Sequence, residues 1–92
     1  MTHHRPWVVE FPAHPDVQAK IADEEHRTSY VEVRDAVRLR HLDDYRWLWD
    51  ENRGWRVRVE VLSESGFPLI VIMAEVEEED DVWVLRSAWR KR

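Results

Sequence analysis

Arg56, Arg58 and Glu60 recur at every second position of the stretch from Arg53 to Val61, alternating with Trp55, Val57, Val59 and Val61. In an extended strand successive side chains point to opposite faces. Two guanidiniums and a carboxylate therefore share one face, and the apolar residues share the other. A guanidinium is a planar fork of N–H donors that matches phosphate or carboxylate oxygens. Such a face reads in two ways. It is either solvated surface, on which Arg56, Arg58 and Arg86 pair with Glu60 or Glu75 for roughly 0.2–1 kcal/mol each, or the floor of an anion-binding or RNA-cutting site.

Other residue types offer weaker chemistry. His26 falls at a helix end or connector, where a histidine often serves only the helix dipole. His3, His4 and His14 invite a metal reading, but no cysteine and no second histidine pair supports them, so no metal site is expected. The acidic run from Glu75 to Asp81 lacks the glycine and the alternating ligands of a calcium loop; it reads as a solvated hairpin that protects a sheet edge. Of the six tryptophans, Trp55 and Trp83 alternate with valines and read as core. Trp47 and Trp49 share a face if their segment is a strand. They offer bases a stacking surface or, the favoured reading, a partner-binding or dimer surface, where tryptophan is enriched.

The elements that must position these groups follow from periodicity and punctuation. Residues 7–11 read as a short first strand. Pro15 opens a helix running to about Glu25, with Val17 and Ile21 on one face and Lys20 and Glu24 flanking it. Ser29 and Glu32 have capping-box spacing, so a second helix starts there and ends near Arg40 or His41. Tyr45 to Trp49 reads as a short edge strand. The segment from Asp50 to Gly54 is a turn, with Asn52 and Gly54 at its left-handed positions. Trp55 to Leu62 is the next strand, Ser63 to Gly66 a hairpin connection, Leu69 to Val76 a central strand apolar on both faces, and Val82 to Trp89 the last strand. The fold class is α+β: an N-terminal strand and two helices packed on a three- to four-stranded antiparallel sheet. The outer face of the central strand needs cover from the tail, a partner or a second copy.

Length and composition set bounds. Ninety-two residues, 43% hydrophobic and 36% charged, make one globular domain spanning the whole chain. The absence of cysteine removes disulfides and thiolate metal sites. A net charge of −5 argues against holding duplex DNA on a broad basic surface, though it leaves room for a small basic cleft. The basic residues are nearly all arginine; only Lys20 and Lys91 are lysines. No apolar run reaches membrane-spanning length, and the first residues lack the apolar region of a signal peptide, so the expected location is the cytoplasm.

The order of elements, at this length, resembles the RelE-type toxin superfamily, and within it the BrnT-like toxins. Glu25-His26-Arg27-Thr28-Ser29-Tyr30-Val31-Glu32 is similar to the family's Lys-His-Gly-Val-Ser-Phe-Glu-Glu segment between the two helices. Trp83-Val84-Leu85-Arg86-Ser87-Ala88 resembles its last strand, and Arg53-Gly54-Trp55-Arg56 sits where the family has a Gly-Glu-x-Arg turn. The resemblance implies an RNA endonuclease that uses no metal or other cofactor and is bound by an antitoxin encoded beside it. A ribose 2′-hydroxyl would attack the adjacent phosphate, which requires a base or a shaped field at the hydroxyl, a cation on the phosphoryl oxygens and an acid at the leaving oxygen. It implies Arg56 and Arg86 as phosphate clamps, with His26 and Lys20 as supporting basic groups. Arg58 and Arg90 are then candidate RNA contacts. The family's arginine after Ser-Ala is Trp89 here, so its cationic role falls to Arg86 or Arg90. The alternative is a non-catalytic α+β module that binds a protein or dimerises through Trp47 and Trp49.

Overall fold

The computed structural model describes residues 4–91. Two short helices, α1 (Pro15–Ile21) and α2 (Tyr30–Val37), precede four strands: β1 (Tyr45–Asp50), β2 (Gly54–Leu62), β3 (Pro68–Glu75) and β4 (Trp83–Arg90). The strands form one antiparallel meander in the order β1-β2-β3-β4. This is an α+β architecture in which α1 packs chiefly against β4 and α2 against β2.

The alternation read in β2 is realised. Val57 and Val59 are fully buried with Ile21, Val33 and Val37 of the helices and with Leu69, Val71 and Met73 of β3. The helices therefore cover the valine face, and Arg56, Arg58 and Glu60 lie on the opposite, helix-free face. On β3 the same face carries Ile70 and Ile72, the register partners of Glu60 and Arg58. Ile70 is 1% exposed although no helix covers it. Cover comes in part from the tail: Lys91 bonds Glu60 at 2.7 Å and the Pro68 carbonyl at 3.0 Å, linking β4 to β2 across β3.

Both helices are shorter than their periodicity suggests, and each stops where a competing hydrogen bond takes over. The Asp23 carboxylate accepts the backbone N–H groups of Glu25 and His26 at 2.9 and 2.8 Å, turning the chain after Ile21 and not at Glu25. Arg38 leaves α2 in an extended conformation, its Nε donating to the Val9 carbonyl, and the Leu39 N–H donates to the Val8 carbonyl. Ser29 caps α2 as its spacing suggests, accepting the Glu32 N–H at 3.2 Å. The Glu32 carboxylate turns instead to Arg90, at 3.3 Å.

The N-terminal segment forms isolated bridges: Trp7 with His41, Val8 with Arg38 and Glu10 with Val82. The carbonyls of Glu10 and Pro12 accept the N–H groups of Trp83 and Leu85, and the His26 carbonyl accepts that of Arg90. The outer edge of β4 is thus capped along its length, which protects it from pairing with another chain. Among the described residues no backbone segment pairs with the outer edge of β1.

In the turn before β2, Gly54 takes a positive φ of 80°, but Asn52 does not. The Asp50 carboxylate accepts the N–H groups of Asn52 and Arg53 at 2.8 and 3.0 Å and shapes the turn without a second left-handed residue.

Candidate anion-binding cleft

A cleft of about 450 Å³ is lined by Val17, Lys20, Arg53, Arg56 and Arg86. The residues arrive from four places: Val17 and Lys20 from α1, Arg53 from the turn before β2, Arg56 from β2 and Arg86 from β4. Arg86 owes its position to a β-bulge. Ile72 pairs with Ser87 and Met73 with Leu85, so Arg86 has no partner of its own on β3. A bulge re-aims one side chain and shifts the alternation after it. Ala88 accordingly enters the core, fully buried, and Trp89 lies beside Ile70 on the helix-free face. Lys20 is tied to the same site, its Nζ donating to the Arg86 carbonyl at 3.2 Å.

The electrostatics are one-sided. Four of the five lining residues are cations and none is an acid. Among the described residues Lys20, Arg53, Arg56 and Arg86 take part in no ion pair. The Arg56 Nε is buried with no hydrogen-bond partner. Burial, and next the charges of Arg53 and Arg86, hold the Arg56 guanidinium below the ordinary arginine value, while Asp50 acts in the opposite sense. A guanidinium so held is still a cation at neutral pH. Burying an unpaired N–H donor and crowding like charges both cost stability; an anion seated among the cations offsets the like-charge repulsion.

No protein-family model, curated protein or solved structure matches the chain.

The structure brings together three of the four residues singled out for catalysis: Arg56, Arg86 and Lys20. His26 is not among the lining residues. Its Nδ1 lies 2.7 Å from Asp23 Oδ1, and its carbonyl holds the β4 edge. That hydrogen bond is the first cause holding the Asp23 carboxyl below its usual value. Arg58 stands on the helix-free face beside Arg46, its register partner on β1. Arg90 points the other way, toward the helices. It pairs with Glu32 and lies over the Phe67 ring at 4.3 Å, which ties the end of β4 to α2 and to the β2–β3 hairpin.

Trp47 is half-buried against the core. It packs on Trp83 and Trp55, and its indole N–H donates to the His4 carbonyl at 3.1 Å. Trp49 is 60% exposed and meets Trp55 edge-on at 5.2 Å. Of the histidines that invite a metal reading, His4 pairs with Glu75, His14 caps α1 by accepting the Asp16 N–H, and His3 lies outside the described residues. Among the described residues no group of three or more His, Cys, Asp or Glu is placed to hold a metal ion. Arg53 belongs to the cleft although its sequence context marks it only as part of a turn. Its place three residues before Arg56, at the mouth of the strand, is the one local signal that points to it.

Proposed function

We propose that this cleft is the phosphate-binding centre of a toxin-like RNA endonuclease of RelE/BrnT character. The observation that supports the reading is the convergence of Lys20, Arg53, Arg56 and Arg86 on one cleft with no lining carboxylate, in a chain whose net charge is −5. Arg56 and Arg86 hold the non-bridging oxygens of a phosphodiester. The 2′-oxygen attacks phosphorus, its proton passing to solvent hydroxide, and the bond to the 5′-oxygen breaks. The products are a 2′,3′-cyclic phosphate and a 5′-hydroxyl. The cations stabilise the charge that develops on the phosphoryl oxygens, and the Lys20 ammonium donates the proton to the leaving 5′-oxygen. His26, held by Asp23, keeps the connector against β4 and takes no part in proton transfer.

Under this reading the domain acts in the cytoplasm, RNA is the substrate and an antitoxin protein is the partner. Among the described residues no helix is long and apolar enough to cross a membrane. The test is induced expression with a readout of growth and of RNA termini. The wild type arrests growth and leaves cyclic phosphate ends, and Arg56→Ala or Arg86→Ala restores growth while the circular dichroism spectrum stays native. Harmless expression of the wild type with intact RNA would sink the proposal.

A second reading is favoured by a separate observation. Trp49 and Leu48 are exposed on β1, an edge strand that no backbone segment covers among the described residues. A non-catalytic module would add a partner strand or a second copy there. In that case Trp49→Ala changes partner capture or oligomeric state, and the arginine substitutions do little.

A further inference from the structure

We infer a second phosphate subsite on the same sheet face, formed by Arg46 and Arg58, which makes the ligand a single-stranded oligonucleotide spanning at least two phosphates. The inference rests on the reading of the cleft as a phosphate site and specifies what that site takes.

Arg46 and Arg58 are direct register partners across β1 and β2. Like charges directly opposite each other in an antiparallel pair oppose folding. Neither guanidinium has an ion-pair or hydrogen-bond partner among the described residues. The nearest acid on β2, Glu60, is taken by Lys91 at 2.7 Å. Both arginines lie on the helix-free face that also carries Arg56, because Trp47, Val57 and Val59 of the same strands turn to the core. Arg58 pairs with Ile72, and Ile72 with Ser87, beside the bulged Arg86. Two strand spacings separate the backbones of Arg58 and Arg86, about 10 Å. Neither Arg46 nor Arg58 is among the residues that line the cleft, so the pair lies beside that anion site and not within it, an arrangement that suits successive phosphates along a strand.

The face is not uniformly charged. Leu48 and Ile72 lie between the arginines, and the half-exposed Trp89 lies on the same face next to Ile70. Cations interleaved with apolar and aromatic surface fit single-stranded nucleic acid, whose bases stack on flat side chains while the backbone follows the charge. An acidic polypeptide would use the charges and leave Trp89 idle. A duplex would need a broader basic surface than a chain of net charge −5 provides.

The experiment measures binding of a fluorescein-labelled single-stranded oligonucleotide with 2′-O-methyl sugars, which the proposed chemistry cannot cut, across a potassium chloride series. In parallel, thermal stabilisation by inorganic pyrophosphate reports on the cleft alone. The Arg46→Ala/Arg58→Ala double variant is expected to bind the oligonucleotide about tenfold more weakly. Its slope of log affinity against log salt should fall by about 0.7 for each phosphate it no longer neutralises. Pyrophosphate stabilisation stays as in the wild type, and Arg46→Lys/Arg58→Lys recovers most of the slope. If the double alanine variant keeps the wild-type slope while pyrophosphate still binds, the second subsite is refuted and the cleft survives as a single-anion site. If polyglutamate of matched charge competes as well as the oligonucleotide, the nucleic-acid occupant is refuted. If neither probe binds the wild type, the cleft reading and this inference fall together.

Discussion

Arg56 and Arg86 line one cleft from strands that do not touch: β2 and β4 are separated by β3. The bulge sets Arg86 apart from the regular alternation of β4, the turn before Gly54 adds Arg53, and α1 adds Lys20. The arrangement gathers like charges around a buried, unpartnered Arg56 Nε. Sites of this kind exchange folding stability for readiness to bind.

Replacing Arg56 by methionine tests that exchange. The substitution keeps an apolar stem, removes the unpartnered donor and relieves the repulsion from Arg53 and Arg86. Arg56→Met is expected to raise the free energy of unfolding by about 1 kcal/mol and to weaken binding of inorganic pyrophosphate at least tenfold. Urea denaturation and isothermal titration read the two effects. A variant that is less stable than the wild type would instead give Arg56 a structural role.

Anion binding should be visible as stabilisation of the native state. At about one hundred times the dissociation constant, a ligand specific to the folded form adds about 2.7 kcal/mol. In a domain of this size each kcal/mol moves the melting temperature by about 4–8 °C. A pyrophosphate titration followed by scanning calorimetry is expected to show a rise on this scale in the wild type, and a reduced one in Lys20→Ala and Arg53→Ala. A flat response in the wild type would remove the cleft as an anion site.

Much of this geometry is legible in the chain and part is not. The alternation from Trp55 to Val61 yields the strand, its buried valines and its outward arginines, because a period of two is forced by the extended backbone. The edge position of Tyr45 to Trp49 and the Ser29 cap are legible for similarly local reasons. The side of the sheet on which Ala88 and Trp89 lie is hidden, because simple alternation places residues 84, 86 and 88 together and the bulge breaks that rule. The contact of Lys20 with the Arg86 carbonyl joins residues 66 positions apart and has no local signature. Periodicity overestimates the helix lengths where Asp23 and Arg38 offer the backbone other hydrogen bonds.

Arg90 gives a contrast between a cation of the cleft and a cation of the framework. Its pair with Glu32 is half-buried, with side chains 32% and 24% exposed, and each partner also buries an atom without a hydrogen bond, Arg90 Nε and Glu32 Oε1. Removing one partner leaves the other charge partly stranded, while removing both does not. Arg90→Ala is expected to destabilise the fold by about 1–2 kcal/mol, less than a fully buried pair because solvent screens it. The double variant Arg90→Met/Glu32→Leu is expected to recover most of the loss. Pyrophosphate affinity should be unchanged in both. Loss of that affinity in Arg90→Ala, with the fold intact, would move Arg90 into the binding site.

Asp23 supplies a pH dependence whose sign is fixed by its environment. The His26 side chain, then the His26 backbone N–H, hold its carboxyl below the ordinary aspartate value of 3.8. A group whose folded value is depressed contributes stability that is fully present above its unfolded value and lost as pH falls through the folded one. The difference in urea midpoint between wild type and Asp23→Asn should therefore narrow progressively as pH drops below about 3.8. Carboxyl chemical shifts followed by NMR should place the Asp23 midpoint below that of an unstructured aspartate. If the difference instead grows on acidification, the Asp23–His26 contact does not hold the connector as described, and the anchoring of His26 against β4 needs another cause.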